Sequence, residues 1–278
     1  MIDLKSLTFG YRSKQTVLQN LTLKLAPGHI YGLLGRNGAG KTSLLHNICG
    51  LLFPNSGECL VAGDKPARRN PQFLQQVYLL PEEIYVPNVS IKSYLDVYAP
   101  FYPTFNFGLF HNILKEFEIP ADNKLQNMSY GQKKKVMIAF ALATQAKILL
   151  MDEPTNGLDI PSKKQFRKII AGTMVDNQII IISTHQVRDL DSLIDHVLIL
   201  EDKQIIVNES TDRITEKLVF KQVMQLNEVS VPVYSEGGLR GHAVVGVNTL
   251  HEDSKIDMEM FFNAVLAEKN QIQSQFKS

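Results

Sequence analysis

The stretch that most constrains the fold is Gly28–Leu52, which is centred on the sequence GRNGAGKT at Gly35–Thr42. A short apolar run, Ile30–Leu34, precedes the glycines and is typical of a buried parallel strand. After them, apolar residues recur at helical spacing, at Leu44, Leu45, Ile48, Leu51 and Leu52. The order strand, glycine-rich loop and helix is the context that the phosphate-binding pattern GxxxxGK[ST] requires. The sequence therefore predicts a P-loop.

The residue types of this loop suit a nucleotide with a bound metal. Gly35, Gly38 and Gly40 let the backbone turn tightly, so that its N–H groups converge on phosphate oxygens at the positive end of the next helix. Lys41 supplies a charge for the β- and γ-phosphates, and the Thr42 hydroxyl is a hard ligand for Mg²⁺. A chance match is the alternative, but it should occur in roughly one chain in a hundred of this size. ATP and Mg²⁺ are the predicted cofactors.

Charge and hydropathy exclude several classes of protein. The chain has 278 residues and a net charge of +1, so no basic field favours nucleic acid as a partner. The longest apolar runs, such as Ile179–Ile182, fall far short of the ~18 residues that a membrane span needs. Residues 1–5 lack the cationic lead and apolar block of a signal peptide. We therefore expect a soluble, cytoplasmic protein.

The N-terminal region is predicted to be β-structure. Residues 2–4 and 21–25 alternate apolar and polar side chains, which predicts antiparallel strands with one solvated face. Between them, Phe9–Arg12 is predicted to form a turn that carries an exposed aromatic side chain, Tyr11. Periodicity alone favours a packing role for Tyr11. Another short strand is predicted at Glu58–Gly63.

Helices and buried strands follow the P-loop helix. Residues Ile84–Leu125 read as a mainly helical insertion, and Ser129 is a natural N-cap for the helix after it. Two buried strands, Ile148–Met151 and Ile179–Ile182, each end in polar residues. The carboxyl ends of such parallel strands are where open α/β sheets bind ligands. A strand hairpin is predicted over residues 196–207.

These elements predict an α/β fold of the P-loop NTPase class. Its parts would be a mainly parallel central sheet, an N-terminal antiparallel β subdomain, a helical insertion at about residues 84–128, and a small α+β C-terminal extension. In the extension, alternation at residues 229–233, a turn at Gly237-Gly238 and a helix over Met258–Lys269 are predicted. We expect one domain at residues 1–214 and the extension at 215–278.

Candidate catalytic residues follow the two buried strands. Asp152 and Glu153 can face the P-loop phosphates, although adjacent acids at a strand end fit a solvated loop equally well. With a P-loop, Asp152 would hold Mg²⁺ and Glu153 would orient the attacking water. His185 ends the next strand and can reach the γ-phosphate, although a lone histidine there is more often structural.

From Ile2 to about Asp212, the chain resembles the ATP-binding subunit of an ATP-binding-cassette (ABC) transporter, because further motifs occur in the order typical of that family. MSYGQ at residues 128–132 resembles the signature motif, usually LSGGQ, and ILLMDEP resembles Walker B. TNGLD at Thr155–Asp159 resembles the D-loop, and STHQ contains the switch histidine. Tyr11 falls where the family stacks an aromatic side chain on adenine, which reverses the interpretation from periodicity.

The resemblance implies a set of partners and site residues. Two cassettes would pair head to tail, as a homodimer or with a paired cassette, on a separate transmembrane permease at the inner face of the membrane. The helix N-terminus at Ser129 and Gly131 would then bind the γ-phosphate on the partner's P-loop, as helix dipoles favour. The implied residues are Glu153 and His185 for catalysis; Thr42, Asp152 and Glu82 for the metal; and, for the nucleotide, Tyr11, Gly35, Asn37, Gly38, Ala39, Gly40, Lys41, Thr42, Ser43, Ser129, Gly131, Gln132 and Asp159.

The chain departs from the family pattern at two positions. Tyr130 replaces the first glycine of the signature, and Glu82 replaces the glutamine of the Q-loop, which senses Mg²⁺ and the membrane subunit. With Asp152 and Glu153, Glu82 would make three carboxylates that only Lys41 offsets. The three consecutive lysines at residues 133–135 fan around their helix, which predicts a solvated face.

Three functional hypotheses remain at this stage. The first is the ATPase subunit of a transporter, for which GLLGRNGAGKT and YLLPEE look most like export-type bacterial systems. The second is a soluble cassette ATPase without a transport role, resembling iron–sulfur assembly ATPases or translation factors, although the latter carry two cassettes. The third is a regulator that binds nucleotide without hydrolysis, which the presence of Glu153 and His185 disfavours.

The first prediction concerns the charge of Lys41. The substitution Lys41→Ala removes at least one charge-assisted phosphate contact, which contributes on the order of 1.5–3 kcal/mol to binding. We expect nucleotide affinity, measured by calorimetric titration, to fall about tenfold or more. Unchanged affinity would contradict the P-loop assignment.

Overall fold

The long apolar runs form buried strands in the computed structural model of the chain, which describes residues 1–12, 15–238 and 241–276. The strands are β1 (Ile2–Arg12), β2 (Gln15–Leu25), β3 (His29–Leu34), β4 (Ser56–Val61), β5 (Val77–Leu80), β6 (Ile148–Asp152), β7 (Ile179–Thr184), β8 (His196–Glu201), β9 (Gln204–Ser210), β10 (Leu218–Val223), β11 (Pro232–Gly238) and β12 (Gly241–Val247). The α-helices are α1 (Lys41–Ile48), α2 (Pro71–Leu74), α3 (Ile91–Tyr98), α4 (Phe107–Glu116), α5 (Tyr130–Ala143), α6 (Ile160–Thr173), α7 (Thr211–Lys217), α8 (Met258–Ala267) and α9 (Lys269–Phe276).

The central sheet has the strand order β5-β6-β7-β3-β8-β9 within the described residues. All its pairs are parallel except β8 with β9, which is antiparallel. Strands β6 and β7 are buried along their whole length, as expected of strands covered on both faces. Their register pairs Asp152 with Ser183, so the polar ends of neighbouring strands meet at one edge. The mainly parallel sheet is confirmed.

The N-terminal sheet is antiparallel as predicted, with the order β2-β1-β4. The predicted turn at Phe9–Arg12 is wrong, because β1 continues through these residues and pairs Phe9 with Leu18 and Arg12 with Gln15. Ser6 has a φ of 49°, and the register shifts repeatedly along the β1–β2 pair. These irregularities break the two-residue period, so the alternation in the sequence looks like two short strands.

The helix after the P-loop is shorter than its apolar pattern indicates. Leu44, Leu45 and Ile48 are buried on α1, but the helix ends at Ile48 and Leu51 is 50% exposed. Gly50 adopts a φ of 73°, and a side chain there would collide with the Pro66 carbonyl oxygen. A glycine in this left-handed conformation terminates the helix, so the prediction that Leu51 and Leu52 extend it is wrong.

The predicted helical insertion is confirmed, and it contains α3 and α4. Helix α5 begins after Ser129 as predicted, because the Ser129 side chain accepts from the Gln132 N–H and the Gln132 side chain accepts from the Ser129 N–H. Strand β5 was not predicted. It is only four residues long and pairs in parallel with β6, at the edge of the central sheet.

The C-terminal part forms a third sheet, with the order β10-β12-β11, and two helices. Strand β11 begins at Pro232, so only the end of the predicted alternation is strand, and helix α8 agrees with its prediction. Gly237 and Gly238 end β11, and residues 239 and 240 lie outside the described residues. Buried Phe261 belongs to the same hydrophobic cluster as residues of the central sheet. The predicted division into residues 1–214 and 215–278 stays a prediction.

Over the described ranges, the longest helices are too short and too polar to cross a bilayer.

Candidate functional site

The P-loop connects β3 to α1 with a backbone that depends on glycine. Gly38 and Gly40 have φ values of 80° and 108°, which side chains of L-residues rarely adopt. A Cβ atom on Gly35 would lie 2.6 Å from the Leu200 carbonyl oxygen on β8. The three glycines of the predicted pattern are therefore required by the loop's conformation and by its approach to the sheet.

The side chain of Lys41, the first residue of α1, points back to the P-loop. Its ammonium group is buried, donates to the Gly35 carbonyl oxygen at 2.8 Å, and is 3.7 Å from Glu153 Oε1. Because a buried ammonium group needs acceptors or counter-charges, these contacts hold the side chain at the mouth of the loop. The charge predicted for phosphate binding is thus beside the predicted catalytic acid.

Asp152 is held by two hydroxyl groups at the end of β6. Thr42 Oγ1 donates to Asp152 Oδ2 at 2.6 Å, and the Ser183 hydroxyl donates to the other carboxylate oxygen. Ser183 was not predicted as a site residue, and its position follows from its pairing with Asp152 across β6 and β7. The sequence signal for Ser183 is its place in STHQ, at the polar end of a buried strand. The parallel register puts this strand end beside the one that contains Asp152.

Glu153 combines burial, an unusual backbone and an unsatisfied oxygen. Its φ is 44°, a conformation that costs about 1–3 kcal/mol for a non-glycine residue and that clusters at functional sites. Glu153 Oε1 lies 2.8 Å from His185 Nδ1. The other oxygen, Oε2, is buried and has no hydrogen-bond partner within the described residues. A buried carboxylate oxygen without a partner suits the binding of a water molecule.

One cavity collects most of the predicted residues. It has a volume of about 520 Å³, within the range of ligand pockets. Tyr11 is 59% exposed at this cavity, and its hydroxyl lies 3.1 Å from Ser43 Oγ. The lining residues are Tyr11, Gln15, Val17, Arg36, Asn37, Gly38, Ala39, Gly40, Lys41, Thr42, Ser43, Glu82, Asp152, Glu153 and His185.

Four further predicted nucleotide-binding residues lie in a second cavity of about 380 Å³, which shares no lining residue with the first, whereas Gly35 lines neither cavity. Ser129 and Gln132 are joined in the capping box of α5, and Gly131 lies between them. Asp159 is the N-cap of α6, where its carboxylate accepts from the Ser162 N–H at 2.9 Å. The structure therefore brings the predicted residues together in two groups, each on its own surface.

The prediction of a solvated lysine face is wrong for Lys134. This side chain is fully buried, and its ammonium group donates to the carbonyl oxygens of Glu82 at 2.7 Å and Pro81 at 3.3 Å. Burial lowers the pKa of Lys134 to about 8, and the nearby carboxylates of Glu82, Asp152 and Glu153 oppose this shift. Lys134 is thus a second cation near the acids, so the expectation that Lys41 alone offsets them is wrong. The Glu82 carboxylate accepts from Asn156 Nδ2 at 2.9 Å.

The oxygen atoms at the P-loop suit a Mg²⁺ ion that is bound together with a nucleotide. Thr42 and Asp152 present a hydroxyl and a carboxylate, both hard ligands. In the described part of the chain, no group of three or more His, Cys, Asp or Glu side chains could hold a metal. Because Mg²⁺ is usually bound through one or two carboxylates, water and substrate phosphates, this donor set suits an ion that arrives with the nucleotide.

A P-loop beside an acid pair and a histidine, at the carboxyl edge of a mainly parallel sheet, defines a nucleotide-hydrolysing α/β ATPase. The chain belongs to the ABC transporter family, whose model matches residues 18–156.

Three comparisons illustrate the similarity. The chain is 26% identical over 248 residues to the ABC transporter ATP-binding protein YtrB of Bacillus subtilis, covering 86% of this chain and 84% of that one. It is 28% identical over 221 residues to the bacitracin transport ATP-binding protein BcrA of Bacillus licheniformis, covering 78% and 72%. The solved dimeric structure of the ATP-binding cassette MJ0796 bound to ADP and Pi shares the fold, with a TM-score of 0.65 and 21% identity over 76% of this chain and 98% of that one.

These findings confirm the family resemblance and the P-loop NTPase fold predicted from the sequence. The chain is an ATP-binding and ATP-hydrolysing subunit of an ABC transporter. The roles assigned to individual residues stay predictions.

The exposed ring of Tyr11 generates a prediction about base stacking. A base stacked on an aromatic side chain gains about 1–3 kcal/mol, so Tyr11→Ala should weaken ATP binding roughly fivefold or more in a fluorescent-nucleotide titration. Tyr11→Phe keeps the ring and loses only the contact with Ser43, so we expect its affinity within about twofold of wild type. Equal losses in both variants would contradict the stacking role.

Proposed function

We propose that two copies of this chain pair head to tail, with ATP and Mg²⁺ between them, and drive a separate membrane-spanning subunit of an exporter. The observation that carries this proposal is that the predicted nucleotide-binding residues, except Gly35, are divided between two cavities of one chain that share no lining residue. We assign the two cavities to different nucleotides, because they share no lining residue. A second copy supplies the missing surface to each nucleotide.

The two cavities offer complementary chemistry to one triphosphate. The P-loop cavity provides the Lys41 ammonium group and the loop amides, which suit the phosphate chain. The second cavity provides the N-terminus of α5 at Ser129 and Gly131, whose helix dipole favours an anion. The dimeric cassette with bound ADP and Pi supports the pairing of two copies, because a protein of the same fold forms a dimer with nucleotide products.

The buried groups at the end of β6 suit ATP hydrolysis. In this proposal, Glu153 accepts a proton from the attacking water, and His185, which contacts Glu153 Oε1, orients the carboxylate. Thr42 and Asp152 would hold Mg²⁺, which neutralises charge on the β- and γ-phosphates when it is bound. Glu82 lines the same cavity and is a further candidate ligand. Lys41 stabilises the charge that develops on the transferred phosphoryl group.

The transport partner and the cellular location follow from the family. An ATPase that powers transport acts through a membrane-spanning permease, so we place the chain in the cytoplasm, on the inner face of the membrane. The name of the bacitracin transport relative supports a transport role, and the motifs GLLGRNGAGKT and YLLPEE favour export. We assign the ATPase to residues 1–214 and an accessory role to residues 215–278, which contain none of the predicted nucleotide-binding residues. Co-purification of a permease with this chain in detergent would test the proposed partner.

The dimer generates a prediction for Glu153→Gln. The substitution keeps the size and one acceptor oxygen of the side chain but removes the proton acceptor, so ATP should bind without being hydrolysed. We expect this variant to elute as a dimer in size-exclusion chromatography at saturating MgATP, and as a monomer without nucleotide. Glu58→Gln, an exposed substitution on β4, is the matched control and should behave as wild type. A Glu153→Gln variant that stays monomeric at saturating MgATP would contradict the proposal.

A further inference from the structure

Two side chains on one face of α5 hold the segment that follows β5. Tyr130 and Lys134 are four residues apart, so they project from the same side of the helix. The Tyr130 hydroxyl donates to the Glu82 carbonyl oxygen at 2.8 Å, and the Lys134 ammonium group donates to the same oxygen at 2.7 Å. Lys134 also donates to the Pro81 carbonyl oxygen. The backbone at Glu82 is therefore fixed by two donors from one helix.

The side chain of Glu82 is fixed by a third donor, from the loop after β6. Asn156 Nδ2 donates to Glu82 Oε1 at 2.9 Å. The next residue, Gly157, packs closely against the Tyr130 ring. A Cβ atom at position 157 would lie only 2.7 Å from two carbons of that ring. Tyr130 thus contacts both the Glu82 segment and the Asn156–Gly157 loop. The three segments form one hydrogen-bonded and packed unit.

This unit joins the two positions at which the chain departs from the family pattern. A glycine in place of Tyr130 has no side chain that could reach Glu82 or cover Gly157. The hydroxyl contact therefore depends on the tyrosine at position 130, and Glu82, the other departure, is the residue that it holds. Lys134 adds a positive charge beside the Glu82 carboxylate, so the acid at position 82 is balanced locally.

The same helix start also faces the second cavity. Ser129 and Gly131, which flank Tyr130, line that cavity, whereas Glu82 lines the P-loop cavity. We propose that Tyr130 and Lys134 are positioning residues that hold Glu82 at the P-loop cavity and tie its position to the start of α5. This inference rests on the proposed function, because it takes the P-loop cavity as the ATP site. A nucleotide that displaces the start of α5 displaces both donors of the Glu82 carbonyl with it.

A double-mutant cycle on steady-state ATP hydrolysis tests the inference. A neutral hydrogen bond contributes about 0.5–1.5 kcal/mol, so Tyr130→Phe should lower kcat about two- to tenfold. The KM for ATP should stay within about twofold, since the hydroxyl bonds Glu82 and not the P-loop. In the Glu82→Ala background, Tyr130→Phe should have no further effect, because its action passes through the Glu82 side chain.

Two matched controls separate positioning from a general disturbance. Tyr85→Phe removes a hydroxyl from a tyrosine that is 93% exposed on the neighbouring segment, and its kinetics should equal wild type. Lys134→Met should lower kcat, whereas Lys133→Met removes the same charge from the adjacent, partly exposed position and should not. Melting temperatures establish that each variant is folded before its kinetics are compared.

Additive effects of Tyr130→Phe and Glu82→Ala on kcat would overturn the inference, as would a Tyr130→Phe variant with wild-type kcat. These results are distinguishable from a failure of the proposed function. If Lys41→Ala keeps full nucleotide affinity, the P-loop cavity is not the ATP site. If Glu153→Gln stays monomeric with MgATP, the dimer fails, and the cycle still reports whether Tyr130 acts through Glu82.

Discussion

The buried carboxylates at the end of β6 are the constraint on which the rest of this site depends. Two like charges about 6 Å apart repel by ~3 kcal/mol at an effective dielectric constant near 20, and the phosphates of a nucleotide add more negative charge. The chain offsets this repulsion with two hydroxyl groups that donate hydrogen bonds to the Asp152 carboxylate, and with the ammonium groups of Lys41 and Lys134. A bound Mg²⁺ would complete the balance. Nucleotide binding and metal binding are therefore expected to be linked at this site.

The parallel sheet brings these groups together from distant parts of the sequence. The register of β6 against β7 puts Ser183 beside Asp152, and the adjacent β3 leads into the loop that ends at Lys41, the first residue of α1. Glu153 takes a left-handed backbone conformation directly after β6. The cost of this conformation is offset by the hydrogen bonds that the Glu153 N–H donates to Ser183 on β7 and by the contact of the Glu153 carboxylate with His185. Strand order and register thus bring the groups of the site together.

Much of this arrangement could be predicted from the sequence, because the relevant signals are local. The glycine pattern, the buried strands and the Ser129 cap depend on neighbouring residues, and the structure confirms them. The structure of Phe9–Arg12 could not be predicted, because register shifts in β1 conceal the strand period. Lys134 was missed for a different reason. A lysine is normally solvated, and only the tertiary position of the carbonyl oxygens of Pro81 and Glu82 makes its burial favourable.

The proposal that each nucleotide is bound between the P-loop cavity of one chain and the second cavity of another is the central claim. The most direct test is a crystal structure of the Glu153→Gln variant with Mg²⁺ and ATP. The account predicts two ATP molecules, each with its γ-phosphate between Lys41 of one chain and the start of α5 at Ser129 of the other. ATP bound at the P-loop with Ser129 of both chains facing solvent would contradict it.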